Sequence, residues 1–229
     1  MDLNPRATPD LPPLLAAEGL GLRLGGRTLW AGLSLTLGGG DRVAVSGPSG
    51  SGKSLLLRAL AGLDPLQRGA VTVQGRAQGD WAMPGYRARV LYLPQRPAVP
   101  GRSVEEALRQ PFALRVRAGQ AFDPARVGPL LAALGRPADF TGQDPTRLSG
   151  GEMQSAALLR ALLLDPAVLL LDEATAALDP EAAARAERLL LDWVSAGPPR
   201  ALVWVGHDPA QRARMTTRDL ALRPGGEAP

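Results

Sequence analysis

Apolar residues alternate with small or polar ones over Leu20-Gly21-Leu22-Arg23-Leu24 and over Leu33-Ser34-Leu35-Thr36-Leu37. That is the period of half-buried strands, and Gly25-Gly26 and Gly38-Gly39-Gly40 supply the turns. Arg42–Ser46 reads as a short buried strand running into a glycine-rich turn, and Leu55–Leu63 as the helix that follows. Further strands are predicted at Ala70–Val73, Val90–Leu93, Val168–Leu171, Ala201–Val205 and Asp219–Leu222. Between Arg96 and about Leu164 the texture is helical, with proline-rich joints. Ser103-Val104-Glu105-Glu106 reads as a capping box, Phe122-Asp123-Pro124 opens a helix to Leu134, and Leu148–Leu164 is a third helix stopped by Asp165-Pro166. Asp179-Pro180 places an N-cap and an N1 proline before another helix, and Pro209–Met215 is a last short one. Strand–helix alternation broken by a helical insertion predicts an α/β core. The expected division is a disordered tail over 1–13 and one domain over 14–229, with the core in 14–95 and 165–229 and the helical subdomain in 96–164.

Composition narrows the function classes. The chain of 229 residues has a net charge of only +4, and its arginines are scattered, so nucleic acid is an unlikely partner. With no cysteine, disulfides, thiol catalysis and cysteine-ligated zinc are excluded. Met1–Pro13 is polar and proline-rich, without the apolar core of a secretion signal. The longest apolar stretch, Ala161–Leu171, is broken by Asp165-Pro166 and is too short to span a bilayer. Any membrane role therefore requires a separate membrane partner, and the expected location is cytoplasmic, peripheral on the inner face of the cell membrane through that partner.

The turn after the Arg42–Ser46 strand reads Gly47-Pro48-Ser49-Gly50-Ser51-Gly52-Lys53-Ser54, the P-loop pattern, in the strand–turn–helix context that pattern needs. Its glycines let successive N–H groups converge on an anion, and the helix N-terminus adds partial positive charge. Lys53 is suited to the β- and γ-phosphates, and the Ser54 hydroxyl to Mg²⁺. All 26 basic residues are arginine except Lys53, which falls where a planar guanidinium could not replace a compact ammonium. Val168–Leu171 ends in Asp172-Glu173, at the strand edge where the P-loop also opens. Asp172 is placed for the Mg²⁺ site, and Glu173 to orient an attacking water. Leu148-Ser149-Gly150-Gly151-Glu152 opens a helix as a second anion-binding start, although Ser-Gly-Gly also suits an ordinary capped helix.

These motifs together resemble the ATP-binding subunits of ABC transporters, in that family's order over nearly the whole chain. Gly47–Ser54 is similar to Walker A, Gln95 to the Q-loop, Leu148–Glu152 to the signature in an LSGGE form, Val168–Glu173 to Walker B, Ala177-Leu178-Asp179 to the D-loop, and His207, the sole histidine, to the switch histidine. The resemblance implies a RecA-like P-loop NTPase core with an antiparallel β subdomain, and ATP and Mg²⁺ as cofactors. It implies a second copy packed head to tail, so that each ATP lies between Walker A of one copy and Ser149-Gly150-Gly151 of the other. Glu173 would polarise water, His207 contact the γ-phosphate, Asp179 couple the two sites, and Gln95 sense Mg²⁺ and link to a transmembrane permease. Within the family, the likeness is strongest to Fet-type iron-export subunits.

The chain departs from the family at four positions. Leu24 stands where an adenine-stacking aromatic is expected, Leu55 where Thr is usual, Ser155 where the arginine after Gln154 is usual, and Ala176 where the D-loop serine is usual. A GTPase is excluded, because the only Asn is Asn4 and the only Lys is Lys53, leaving no Asn-Lys-x-Asp guanine reader. A P-loop kinase would give no reason for the Ser149–Glu152 turn or His207. The rival reading is a non-transport ABC ATPase acting on nucleic acid or ribosomes.

Overall fold

A computed structural model describes residues 12–223. Strands β1 (Leu15–Leu24) and β2 (Arg27–Leu37) form a hairpin across Gly25-Gly26, longer at both arms than the alternation predicts. β3 (Arg42–Ser46) feeds the P-loop, and α1 (Lys53–Leu60) follows it. β4 (Arg68–Val73) and the two-residue β5 (Arg76–Ala77) complete an antiparallel sheet ordered β2-β1-β4-β5. α2 (Met83–Arg89) lies in a stretch with no predicted helix: Pro84 and Gly85 hide it, and it holds only one fully buried side chain, Tyr86, whose hydroxyl donates to the Leu60 carbonyl at 2.5 Å.

After β6 (Val90–Leu93) the chain enters the helical stretch, with α3 (Val104–Arg109), α4 (Val127–Ala133) and α5 (Gly150–Leu164) joined by 3₁₀ turns. The capping box expected at Ser103 is half made. Ser103 Oγ accepts from Glu106 N at 3.2 Å, but the Glu106 carboxylate accepts from Arg102 N at 2.9 Å instead of returning to the cap. Arg102 is thus a closer competitor for that carboxylate. The helix expected at 122–134 begins as a 3₁₀ turn at Pro124–Arg126 before becoming α-helical. The chain then returns through β7 (Val168–Asp172), α6 (Pro180–Ser195), β8 (Ala201–Val205), α7 (Pro209–Met215) and β9 (Arg218–Ala221).

The second sheet is parallel throughout, in the order β6-β7-β8-β3-β9. β7 and β8 are buried at every residue, as expected of parallel strands covered on both faces. Their alternate side chains serve different layers. Val168, Leu170, Val203 and Val205 pack with the antiparallel sheet and α1, while Leu169, Leu171, Leu202 and Trp204 pack with α3, α5 and α6. The buried apolar residues of the helical stretch, among them Val104, Leu131 and Phe140, belong to that second layer. This is the expected α/β P-loop architecture with an antiparallel β sheet and a helical insertion. It fixes β3 and β7 close together with their carboxyl ends on one edge. The tail expected at 1–13 lies, except for Pro12 and Pro13, outside the described residues.

Candidate functional site

The P-loop turns tightly between β3 and α1. Gly47 has φ +146°, and a Cβ there would lie 2.8 Å from both the Leu222 carbonyl oxygen and Ser51 Oγ, so only glycine allows the loop to fold this closely. α1 has no acidic residue in its first turn and no side-chain cap at Gly52. Its leading N–H groups therefore face outward without an acceptor from a capping side chain, which fits an anionic ligand. Lys53 Nζ donates to the Gly47 and Pro48 carbonyls at 2.9 and 3.1 Å, which holds the ammonium over the loop.

Ser49, Gly50, Gly52, Lys53, Ser54 and Leu55 line one side of a cleft of about 370 Å³. Across it stand Glu173 and His207, and Leu24 and Leu29 form an apolar wall. Leu24 is 60% exposed, a bare aliphatic surface at the mouth of the cleft. The site thus combines a basic, glycine-lined floor with a carboxylate and an imidazole opposite.

Glu173 follows the last residue of β7 in a left-handed conformation, φ +51°, with its N–H donating to the Val205 carbonyl at 2.9 Å. That backbone costs a non-glycine residue about 1–2 kcal/mol, and the surroundings over-determine it. Glu173 Oε1 lies 2.8 Å from His207 Nε2, and Oε2 accepts from Gln95 Nε2 at 2.6 Å. Gln95, Glu173 and His207 therefore meet, as their strand-end positions predict. Asp172 is buried beside them and accepts from the Tyr92 hydroxyl at 2.9 Å; burial and then the Asp172 carboxylate push the Tyr92 pKa well up, so the phenol stays a donor.

Among the described residues no cluster of three His, Cys, Asp or Glu side chains could cage a metal ion. Ser54 and Glu173 line the cleft, and Asp172 lies buried at the end of β7, one residue before Glu173. Mg²⁺ needs no such cage, because it keeps several waters and is held by one or two protein oxygens together with phosphates.

Ser149–Glu152 lies outside this cleft. Ser149 and Gly150 are exposed, and Ser149 makes the complete capping box: its Oγ accepts from Glu152 N at 3.3 Å, while Glu152 accepts from Ser149 N at 2.8 Å. The Ser149 hydroxyl, donating to Glu152 Oε2 at 2.6 Å, and then the Ser149 N–H hold the Glu152 pKa below the usual carboxylate range. A Cβ at Gly151 would meet the Ala177 carbonyl oxygen at 2.9 Å, so the chain after Glu173 packs directly against the turn. Asp179 is exposed and caps α6, accepting from Ala182 N at 2.8 Å; that backbone donor holds its pKa down.

Two residues that neither motif nor periodicity marks as functional, Gln154 and Arg136, organise the site. Gln154 is buried in α5. Its Nε2 donates to the Glu173 carbonyl at 3.2 Å and the Gln95 carbonyl at 3.4 Å, and its Oε1 accepts from Ala177 N at 2.9 Å. One side chain thus ties the loop after β6 to two points of the loop after β7. Its signal was a glutamine among the buried apolar rows of α5. Arg136 brings to Ser155 the guanidinium that the sequence lacks at that position, donating to its Oγ at 2.9 and 3.1 Å and lying 4.0 Å from Glu152. Such a contact between residues 19 apart leaves no periodic trace.

Comparison with known proteins gives a consistent result. The family described as ABC transporter matches residues 30–176. The hemin import ATP-binding protein HmuV of Streptomyces coelicolor is 39% identical over 216 residues, covering 93% of this chain and 75% of that protein. The Fe(3+) ions import ATP-binding protein FbpC 2 of Pectobacterium atrosepticum is 32% identical over 202 residues, covering 87% of this chain but only 57% of its own length. A solved dimer of an ATP-binding cassette in a post-hydrolysis state, bound to ADP and Pi, superposes with a TM-score of 0.79 at 25% identity, covering 93% of this chain and 96% of that one.

Proposed function

The chain belongs to the ABC transporter family as an ATP-binding, ATP-hydrolysing cassette, and we propose that it drives a separate membrane permease by closing as a pair around two ATP molecules. The observation that carries this is the separation of its two anion-binding turns. Lys53 and Ser54 face the same cleft as Glu173 and His207, while Ser149 and Gly150 stand exposed outside it. A turn that cannot reach its own chain's nucleotide serves the nucleotide of a second copy.

In this reading Gly47–Ser54 wraps the phosphates, with Lys53 leaving its loop carbonyls for phosphate oxygens. Ser54 and Asp172 hold Mg²⁺, and Gln95 senses it. Glu173 accepts the proton of the attacking water, and His207 donates to the γ-phosphate. Both must first exchange their mutual 2.8 Å contact for nucleotide and water. Leu24 and Leu55 give the base and α-phosphate apolar contact only. Ser149, Gly150, Gly151 and Glu152 grip the partner's ATP, with Asp179 at the junction. The division into a core of 14–95 and 165–229 and a signature subdomain of 96–164 belongs to the same proposal.

No helix among the described residues is long and apolar enough to cross a membrane, which supports a separate permease and attachment to the membrane through it. The relatives above are named for import of hemin and Fe(3+). Their names favour uptake over the export suggested by the Fet-type likeness, and they favour transport over action on nucleic acid or ribosomes. A direct test is Gly150→Asp, which puts a carboxylate on the exposed turn. ATP binding should survive and hydrolysis should be lost, whereas Lys53→Ala should lose both. Hydrolysis at the wild-type rate by Gly150→Asp would overturn the shared-site reading.

A further inference from the structure

A second, larger cavity of about 650 Å³ lies at the opposite edge of the parallel sheet, beside the amino ends of β6, β7 and β8. Its size is that of a metabolite pocket. Three arginines line it, Arg89 from α2, Arg117 from a 3₁₀ turn of the helical insertion and Arg200 from the residue just before β8, along with Asp165. Asp165 is committed to Arg200, 2.7 Å away. Arg117 is 92% buried by residue surface, being 8% exposed. Its partners among the described residues are all neutral: Gln120 Oε1 at 2.8 Å, the Ala88 carbonyl at 3.5 Å, and the Phe112 ring, whose centre lies 5.8 Å from the guanidinium. Burial pushes the Arg117 pKa down, and Asp165 offsets this only from a distance. Arg89 makes no ion pair among the described residues and stacks its guanidinium over Trp81, 5.0 Å from the ring centre.

A buried guanidinium without a carboxylate is costly, because desolvation is not repaid by a counter-charge. Here that charge faces an open cavity carrying a second uncommitted arginine. Prolines, Trp81 and Val116 give the wall an apolar side, while Gln74 and Gln120 add neutral polar groups. The ATP cleft uses none of these residues, and it lies beyond the other end of strands five residues long, about 15 Å away.

We propose that this cavity is a second anion-binding site for a small organic phosphate or carboxylate, whose charged group bridges Arg117 and Arg89 while its apolar part packs against the proline wall. Arginine forks bind either oxyanion bidentately. Occupancy would link the helical insertion, through Arg117, to the nucleotide-binding core, through Arg89.

The test uses phenyl phosphate in calorimetric titration against the full chain carrying Lys53→Ala, which removes the P-loop as a competing phosphate site. Ionic strength is matched with sodium chloride, and inorganic phosphate and benzoate are run as comparators. Saturable binding of one phenyl phosphate per chain is expected. Adding Arg117→Gln should weaken it about tenfold or more. Should Arg117→Gln fail to fold, Arg89→Gln, at an exposed position, should still weaken binding at least about threefold. Benzoate binding as tightly as phenyl phosphate would mark a carboxylate site, and phenyl phosphate binding more tightly a phosphate site. No saturable binding, or affinity unchanged by either arginine substitution, would overturn the proposal. Because the background already lacks Lys53, this outcome is independent of the nucleotide clamp.

Discussion

Gln154→Met keeps the volume and unbranched shape of a buried side chain and deletes only its polar end. Three hydrogen bonds go with it, those to the Glu173 and Gln95 carbonyls and from Ala177 N. At about 0.5–1.5 kcal/mol each, the three would total roughly 1.5–4.5 kcal/mol. The 3.4 Å bond is at the long limit, and Ala177 is an exposed residue whose N–H can turn to water. The expected loss of stability is therefore about 1–2 kcal/mol, read by urea unfolding at unchanged m-value. The loss of function should be larger. Glu173 occupies a left-handed backbone held partly by its carbonyl's bond to Gln154, and a misplacement of about 1 Å at a catalytic group costs on the order of 10²-fold. ATP turnover should thus fall at least tenfold while ATP affinity, set by the P-loop, stays within about threefold. Turnover within a factor of two of wild type would refute the view that Gln154 positions the site. A matching fall in affinity would show general damage instead.

Leu24→Tyr adds an aromatic face at the mouth of the cleft; base stacking worth about 1–3 kcal/mol predicts ATP binding roughly 5- to 150-fold tighter, with GTP also tightened because stacking does not read base edges. Unchanged affinity in a nucleotide titration would remove Leu24 from the base site. Arg58 holds the Asp64 pKa below its ordinary value through paired 2.7 Å bonds, so this contribution is present above the ordinary carboxylate pKa and disappears as pH falls through the lower folded value. Both side chains are partly exposed, and Asp64→Asn should cost only about 0.5 kcal/mol near neutral pH, a difference that vanishes in strong acid when unfolding is repeated there.

Much of this molecule was legible in its sequence because its parallel strands are short with apolar centres and its chemistry sits at their ends. Arg42–Ser46, Val90–Leu93 and Ala201–Val205 fall where the apolar runs place them. The meeting of Gln95, Glu173 and His207 follows from three strand ends on one edge. α2 was hidden because proline and glycine in its first turn break the pattern, and tertiary burial of Tyr86 overrides local propensity. The contacts of Arg136 and Gln154 were hidden for another reason: they join residues 19 and 59 apart through side-chain geometry that only the packed fold determines. The exposed Ser149 turn was readable as a helix cap. That it stands exposed outside its own P-loop cleft needed the fold.

Light scattering on the Glu173→Gln protein with Mg-ATP bound tests the clamp most directly. Hydrolysis is blocked there while both gripping turns are intact, so the mass should rise from that of a single chain, 24.0 kDa, to about twice that value, and fall back when nucleotide is removed. A nucleotide-saturated protein that stays at 24.0 kDa at every concentration tried would contradict it.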